Sequence, residues 1–103
     1  MTMDIDITRE SEKVTAAIAG RVDGSNAREF QDALMGAIQE SDREVVLDFA
    51  SLTYISSAGL RAILLTAKTL SKQSATLEVC ALSPSIREVF ETSGFDKIIS
   101  VRD

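Results

Sequence analysis

Two adjacent serines in the middle of the chain are the side chains whose type and spacing could do chemistry. Residues 54–61 read Tyr-Ile-Ser-Ser-Ala-Gly-Leu-Arg, between a strand-like apolar run and a helical pattern. A serine hydroxyl at the start of a helix meets unpaired backbone N–H groups and the positive end of the helix dipole. A phosphate on that oxygen would be stabilised there, and it would reverse the charge of the surrounding surface. The segment predicts a phosphorylation switch, with the helix N-cap as the alternative role of Ser57.

Hydrolytic, metal and nucleotide chemistry are disfavoured by the composition. The chain contains no histidine, so a serine nucleophile would lack its usual base. Neither a Gly-x-Ser-x-Gly elbow nor a Walker or Gly-x-Gly-x-x-Gly loop occurs in the sequence. Cys80 is the one cysteine, and its apolar neighbours predict a small buried hydrophobe as opposed to a reactive thiol. We therefore expect a protein that is not an enzyme and that holds neither a cofactor nor a metal.

Length and charge limit the domain organisation and the class of partner. The 103 residues fit a single domain, residues 1–103, that can bury one core. The net charge of −5 argues against nucleic acid and against anionic membranes as partners. The sequence has neither a secretory signal nor an apolar run of the about 20 residues that a membrane span requires. We expect a cytoplasmic protein that is a monomer when free.

The periodicity of apolar residues predicts the elements that position the two serines. Alternation over the first twenty residues predicts two strands joined by a polar turn around Glu10 to Lys13. A first helix follows, with Ser25 as its N-cap and Glu29 in its first turn, and it continues to about Glu40.

The second half of the chain alternates strands with helices. The run Val45 to Phe49 predicts a strand covered on both faces. A helix over 57–72 follows, with a core stripe at Leu60, Ile63, Leu64, Ala67 and Leu70. A strand is predicted over 76–80, and then a helix from Pro84 that is capped by Ser83 and stopped by Gly94. The last predicted strand is formed by Ile98, Ile99 and Val101. The order β-β-α-β-α-β-α-β predicts an α/β domain with a small mixed, mainly parallel sheet.

Functional residues in such folds tend to lie where strands end and helices begin. Asp23-Gly24-Ser25 and Ser56-Ser57 both fall at such junctions. We therefore expect the two loops to lie side by side.

Three segments of the chain resemble one known family. They are Gly20-Arg-Val-Asp23, Val46-Leu47-Asp48-Phe49 and Tyr54-Ile-Ser-Ser-Ala-Gly-Leu60. They are similar to signature segments of the bacterial anti-sigma factor antagonists of the STAS domain family. The resemblance covers nearly the whole chain and implies a STAS-like fold.

The resemblance implies a non-enzymatic regulator. In this family a partner serine kinase, which is also the anti-sigma factor, phosphorylates one serine at the start of the second long helix. The unphosphorylated form binds that kinase and frees the sigma factor, and a metal-dependent serine phosphatase restores it. The family pattern places the target at Ser57. Ser56 stands where the family carries an acidic residue, so it is the alternative phosphoacceptor.

Membership does not fix the pathway, because STAS domains serve several systems. The alternative function is a STAS docking module in a non-sigma assembly, such as lipid transport, secretion regulation or a stress-signalling scaffold. Ser57 then need not be phosphorylated.

We expect the partner surface to lie around the two junctions and on the helix face opposite the core stripe. That face is small and apolar, so it either meets the partner or is covered within the domain. Under the first reading a charge at Ala62 weakens kinase binding and spares the fold. Gly59 either permits close approach of a partner or of a neighbouring loop, or is merely tolerated at this position. Asp23 either caps the turn at the end of its strand, orients the serine or contacts the kinase. The predicted partner-binding residues are Asp23, Gly24, Ser25, Ser56, Ser57, Ala58, Gly59, Arg61, Ala62 and Leu65.

Overall fold

The fold was obtained as a computed structural model that describes residues 3–102. These residues form β1 (Met3–Glu10), β2 (Lys13–Val22), α1 (Ala27–Ala37), β3 (Glu44–Ile55), α2 (Ser57–Lys72), β4 (Thr76–Cys80), α3 (Pro84–Ser93), a 3-10 turn (Phe95–Lys97) and β5 (Ser100–Arg102). The predicted element order is confirmed. The predicted domain limits at residues 1 and 103 lie outside the described residues. Within the described part of the chain, no helix is long and apolar enough to cross a membrane.

The strands form one sheet in the order β1-β2-β3-β4-β5. β1 and β2 are antiparallel, and each later pair is parallel. This confirms a mixed, mainly parallel sheet. The β1–β2 hairpin turns at Ser11 and Glu12, where Ser11 adopts a left-handed φ of 55°. Because β2 and β3 are parallel, both strands end at the same edge of the sheet, and the two predicted junctions follow there.

One face of the sheet carries the core. Register aligns Ala16, Leu47 and Val79 in one row, and all three are fully buried. Side chains of all three helices join the same cluster, among them Phe30, Leu34, Ile63, Leu70, Ile86 and Phe90. The three crossovers all step in the same direction across the sheet. Right-handed crossovers of this kind place their helices on one side.

The second face of the sheet therefore carries no helix from residues 3–102, and the prediction that β3 is covered on both faces is wrong. Val46 is buried on this face but lies outside the core cluster. Its neighbours in the row are Thr15 and Glu78. Cys80 also lies on this face, in register with Asp48, and is half-buried, so the prediction of a small buried hydrophobe is wrong as well.

A buried carboxylate ends α1 earlier than periodicity predicts. The helix stops at Ala37 and not near Glu40. Asp42 is fully buried and accepts hydrogen bonds from the Arg9 guanidinium and, at 2.7 Å, from the Gln39 N–H. Arg9 also donates to the Ala37 carbonyl, which satisfies the last turn of the helix. The Arg9 hydrogen bond, the largest cause, holds the pKa of Asp42 below its ordinary value of 3.8.

The C-terminal elements follow local signals closely, except for the last strand. Ser83 caps α3 by accepting the Ile86 N–H at 3.3 Å, as predicted. Gly94 ends the helix with a φ of 80°, a left-handed conformation that glycine adopts without strain. β5 begins only at Ser100, after a 3-10 turn that ends at Lys97, so the prediction of Ile98 and Ile99 as strand residues is wrong, whereas Val101 lies in the strand. The Ile98 side chain is 62% exposed.

Candidate functional site

Ser56, and not Ser57, is the N-cap of α2. Ser56 has extended backbone angles, φ −92° and ψ 174°, and its hydroxyl accepts the Gly59 N–H at 3.3 Å. Ser57 is the first helical residue. The prediction that Ser57 might serve as the cap is therefore wrong. The Ser56 oxygen therefore accepts a hydrogen bond from the helix end, and the Ser57 oxygen is not used for capping.

The Ser57 side chain is exposed to solvent. Within residues 3–102, no group forms a hydrogen bond with its hydroxyl. Ser56, in contrast, is half-buried, and its oxygen is engaged by the helix backbone. Of the two candidate phosphoacceptors, Ser57 has the accessible hydroxyl.

The β2–α1 loop lies against the start of α2, as expected. The Ser56 N–H donates to the Val22 carbonyl at 2.9 Å, so the loop that begins at Asp23 and the loop that holds the serines are joined by backbone. Gly59 completes the contact. A Cβ built there would stand 2.7 Å from Cγ1 of Ile55 and 2.8 Å from Cγ1 of Val22. Gly59 is buried, and its lack of a side chain permits α2 to approach the ends of β2 and β3, which favours the predicted close approach of a neighbouring segment.

Asp23 organises its own loop. Its carboxylate accepts hydrogen bonds from the Ser25 N–H at 2.9 Å and from the Ser25 hydroxyl at 2.6 Å. The Ser25 hydroxyl bond is the largest of the effects that lower the pKa of Asp23 below 3.8. Asn26 occupies the N-cap position of α1, so the prediction of Ser25 as the cap is wrong. The Asn26 side chain instead accepts the Asp23 N–H and donates to the Arg21 carbonyl, both at 2.9 Å.

Two residues beside this loop were missed by sequence reasoning. The Arg21 guanidinium lies over the Tyr54 ring, 4.3 Å from its centroid, and its Nε is 4.0 Å from an Asp23 carboxylate oxygen. Tyr54 remains 41% exposed. Exposed tyrosine and arginine are enriched at protein interfaces. The one tyrosine of the chain, three residues before Ser57, was the available signal.

The buried face of α2 differs from the predicted stripe, and Ala62 lies on it. Ala62 is 2% exposed and Thr66 is fully buried, whereas Leu64 is only half-buried. The contacts of α2 with α1 explain the difference, since a helix between two neighbours buries a wider arc than an isolated amphipathic helix. Of the two alternatives for this helix face, cover within the domain therefore holds at Ala62, and its prediction as a partner-binding residue is wrong.

A surface groove runs along the other side of α2. Its residues on α2 include Ser57, Ala58, Arg61, Leu64, Leu65 and Lys68, and its far wall is formed by Ser93 and Phe95 at the end of α3. The predicted residues Ser57, Ala58, Arg61 and Leu65 thus share one surface. Sequence reasoning missed the far wall, because no pattern within α2 indicates which distant side chain stands opposite.

Comparisons with known proteins give a consistent result. A family model described as "STAS domain" matches residues 4–103. The protein BtrV of Bordetella bronchiseptica, named as an anti-sigma factor antagonist, is 45% identical over 86 residues, which is 84% of this chain and 74% of that protein.

Solved structures share the fold at lower identity. An anti-sigma factor antagonist from Mycobacterium paratuberculosis has a TM-score of 0.86 at 20% identity, covering 97% of this chain and 85% of that one. The anti-sigma factor antagonist SpoIIAA in its unphosphorylated form has a TM-score of 0.82 at 19% identity, covering 97% and 89%. The phosphorylated form of the Bacillus protein SpoIIAA has a TM-score of 0.70 at 18% identity, covering 97% and 92%.

Proposed function

This chain belongs to the STAS domain family, and from that membership we propose that it is an anti-sigma factor antagonist whose binding is turned off by phosphorylation of Ser57. The unphosphorylated form binds an anti-sigma factor that is also a serine kinase, and the sigma factor is released. The kinase transfers the γ-phosphoryl group of ATP to Oγ of Ser57, with ADP as the leaving group and the hydroxyl proton lost to solvent. A metal-dependent serine phosphatase hydrolyses the ester and restores binding.

The accessibility of Ser57 is the observation that carries this proposal. Its hydroxyl is exposed on the first residue of α2, while the neighbouring Ser56 takes the capping role. A phosphate there lies near the positive end of the helix dipole, so the fold tolerates about −1.5 to −2 added charges. The name BtrV and the two solved forms of SpoIIAA support the same assignment by similarity.

The phosphate acts by blocking an interface. A partner packed over Ser57 would have to desolvate a phosphate dianion, which is costly without a matching cation. The proposed partner surface keeps the loop of Asp23, Gly24 and Ser25, and on α2 it keeps Ser57, Ala58, Arg61 and Leu65. Ser56, Gly59 and Ala62 lie beneath that surface and support the start of α2. The proposal includes neither nucleic acid nor membrane partners, and it takes the free protein to be a monomer in the cytoplasm, where sigma factors act.

Phosphotransfer tests the site directly. The protein is incubated with ATP and the anti-sigma factor kinase encoded in the same genome, and the products are measured by intact mass spectrometry. We expect one phosphate on the wild-type chain and on Ser56→Ala, and none on Ser57→Ala. A phosphate on Ser57→Ala would overturn the site.

Binding tests the switch itself. Titration calorimetry compares the unphosphorylated chain with a chain that carries phosphoserine at position 57. We expect binding to the kinase in the first case and at least a hundredfold weaker binding in the second, which corresponds to about 2.7 kcal/mol. Equal affinities would refute the switch.

A further inference from the structure

The groove along α2 combines an apolar floor with two cations. Four residues follow one another along the solvent side of the helix: Ser57, Arg61, Leu64 and Lys68. Their spacings of four, three and four residues keep them on one face. Opposite them stands Phe95, which follows Gly94 and packs edge-on against Phe90 at a centroid distance of 6.1 Å. The far wall is therefore anchored to the core through an aromatic contact.

The charge of this groove is opposite to that of the chain. α2 carries Arg61, Lys68 and Lys72 and no acidic residue, although the net charge of the chain is −5. Within residues 3–102, neither Arg61 nor Lys68 makes an ion pair, whereas Arg9, Arg21, Arg28 and Arg102 each lie within 4.0 Å of a carboxylate. The two groove cations are thus available to a carboxylate from outside the chain.

We propose that this groove binds a segment of the anti-sigma factor that carries an apolar side chain flanked by carboxylates. Arg61 pairs with one of those carboxylates in the complex, and after phosphorylation it pairs with the phosphate of Ser57 instead. This inference rests on the proposed function and adds the group through which the phosphate is recognised. The apolar side chain packs between Leu64 and Phe95, and the carboxylates meet Arg61 and Lys68.

The helical geometry makes Arg61 the cation that can form an ion pair with the phosphate. An acid at one position and a base four residues later form the favoured ion-pair spacing on a helix. Arginine also binds phosphate in a bidentate manner. Lys68 is eleven residues from Ser57, about 16 Å along the axis at 1.5 Å per residue. That distance exceeds the Debye length of about 8 Å at physiological salt, so the attraction between Lys68 and the phosphate is largely screened.

A titration that needs no partner tests the phosphate contact. Phosphoserine is installed at position 57 during synthesis, and phosphorus NMR follows its second ionisation with pH. A nearby cation favours the dianion, so Arg61→Gln should move the titration to higher pH. The matched variant Lys68→Gln removes the same charge from the same groove and should leave the titration unchanged. Identical curves for the wild type and Arg61→Gln would overturn the role of Arg61.

Binding of the unphosphorylated chain tests the docking segment. Against the anti-sigma factor kinase of the same genome, Arg61→Glu should weaken binding about tenfold or more, and Lys68→Glu should act in the same direction. Lys72→Glu reverses a charge in the same helix outside the groove and should change the affinity less than twofold. If the wild type binds and Arg61→Glu binds equally well, the groove is not the docking site and the antagonist function stands. If the wild type neither binds nor accepts phosphate, the proposed function fails, and the titration still reports on Arg61.

Discussion

The contact at Gly59 allows a stability change to be worked out from the structure. A Cβ at this position would lie 2.7 Å from Ile55 and 2.8 Å from Val22, distances at which one of the groups must move. Both contacting side chains are buried, with exposures of 3% and 0%, so they have little room to yield. Overpacking of this kind costs about 1–3 kcal/mol. The gain in helix propensity from glycine to alanine returns at most about 1 kcal/mol.

Gly59→Ala should therefore lower the free energy of unfolding by about 1–2 kcal/mol, with a fall in Tm on the order of 5–10 °C. Urea unfolding followed by circular dichroism measures the first, and a thermal scan measures the second. Gly36→Ala is the matched control, since Gly36 also lies in a helix and a Cβ there meets nothing within 4 Å. That substitution should raise stability by up to about 1 kcal/mol.

A double variant separates the clash from other causes. Val22→Ala removes Cγ1 of Val22, one of the two carbon atoms that lie within 3.0 Å of the new Cβ, at its own cavity cost. If the clash is the cause, Gly59→Ala should cost less in the Val22→Ala background than in the wild type. Additive losses, or a Gly59→Ala variant as stable as Gly36→Ala, would refute the reasoning.

Three further outcomes follow from the burial of Ala62 and from the hydrogen bonds of Ser56 and Asp42. Ala62→Glu should lower the free energy of unfolding by about 3 kcal/mol or more in urea, because it buries an unpaired charge, and a variant that keeps wild-type stability would contradict the burial of Ala62. Ser56→Ala should cost about 0.5–2 kcal/mol, the usual value of an N-cap, while phosphotransfer to Ser57 continues. Because Arg9 lowers the pKa of Asp42 in the folded state, the unfolded chain binds more protons between that pKa and 3.8, and stability is lost as the pH falls through this window. Asp42→Asn should flatten the acid limb of stability measured against pH; an unchanged limb would exclude Asp42 as its cause.

Sequence reasoning succeeded where a signal is local. Ser83 at an N-cap and Gly94 in a left-handed stop are set by the backbone needs of one helix end, and both are readable from a few neighbouring residues. The element order and the parallel character of the sheet follow from alternating periodicities in the same way. The signature around Ser57 indicated the family through residues that are contiguous in the chain.

The wrong predictions concern features that depend on contacts between segments distant in the sequence. Two adjacent serines offer the same capping chemistry, and only the backbone angles distinguish Ser56 as the cap. Ala62 was placed outside because periodicity within α2 contains no information about α1, the helix that packs against α2. The burial of Asp42 depends on Arg9, a residue 33 positions away, so no local pattern predicts it. The far wall of the groove at Phe95 is likewise a matter of tertiary packing.

The chain places its buried carboxylate and its exposed serine at the two ends of β3. Asp42 precedes the first residue of the strand, and Ser57 follows closely after its last. Changes that stabilise the domain against acid or heat can therefore be made around Arg9 and Asp42 without altering the proposed partner surface. A thermostable version that keeps the proposed switch is a practical goal for this scaffold.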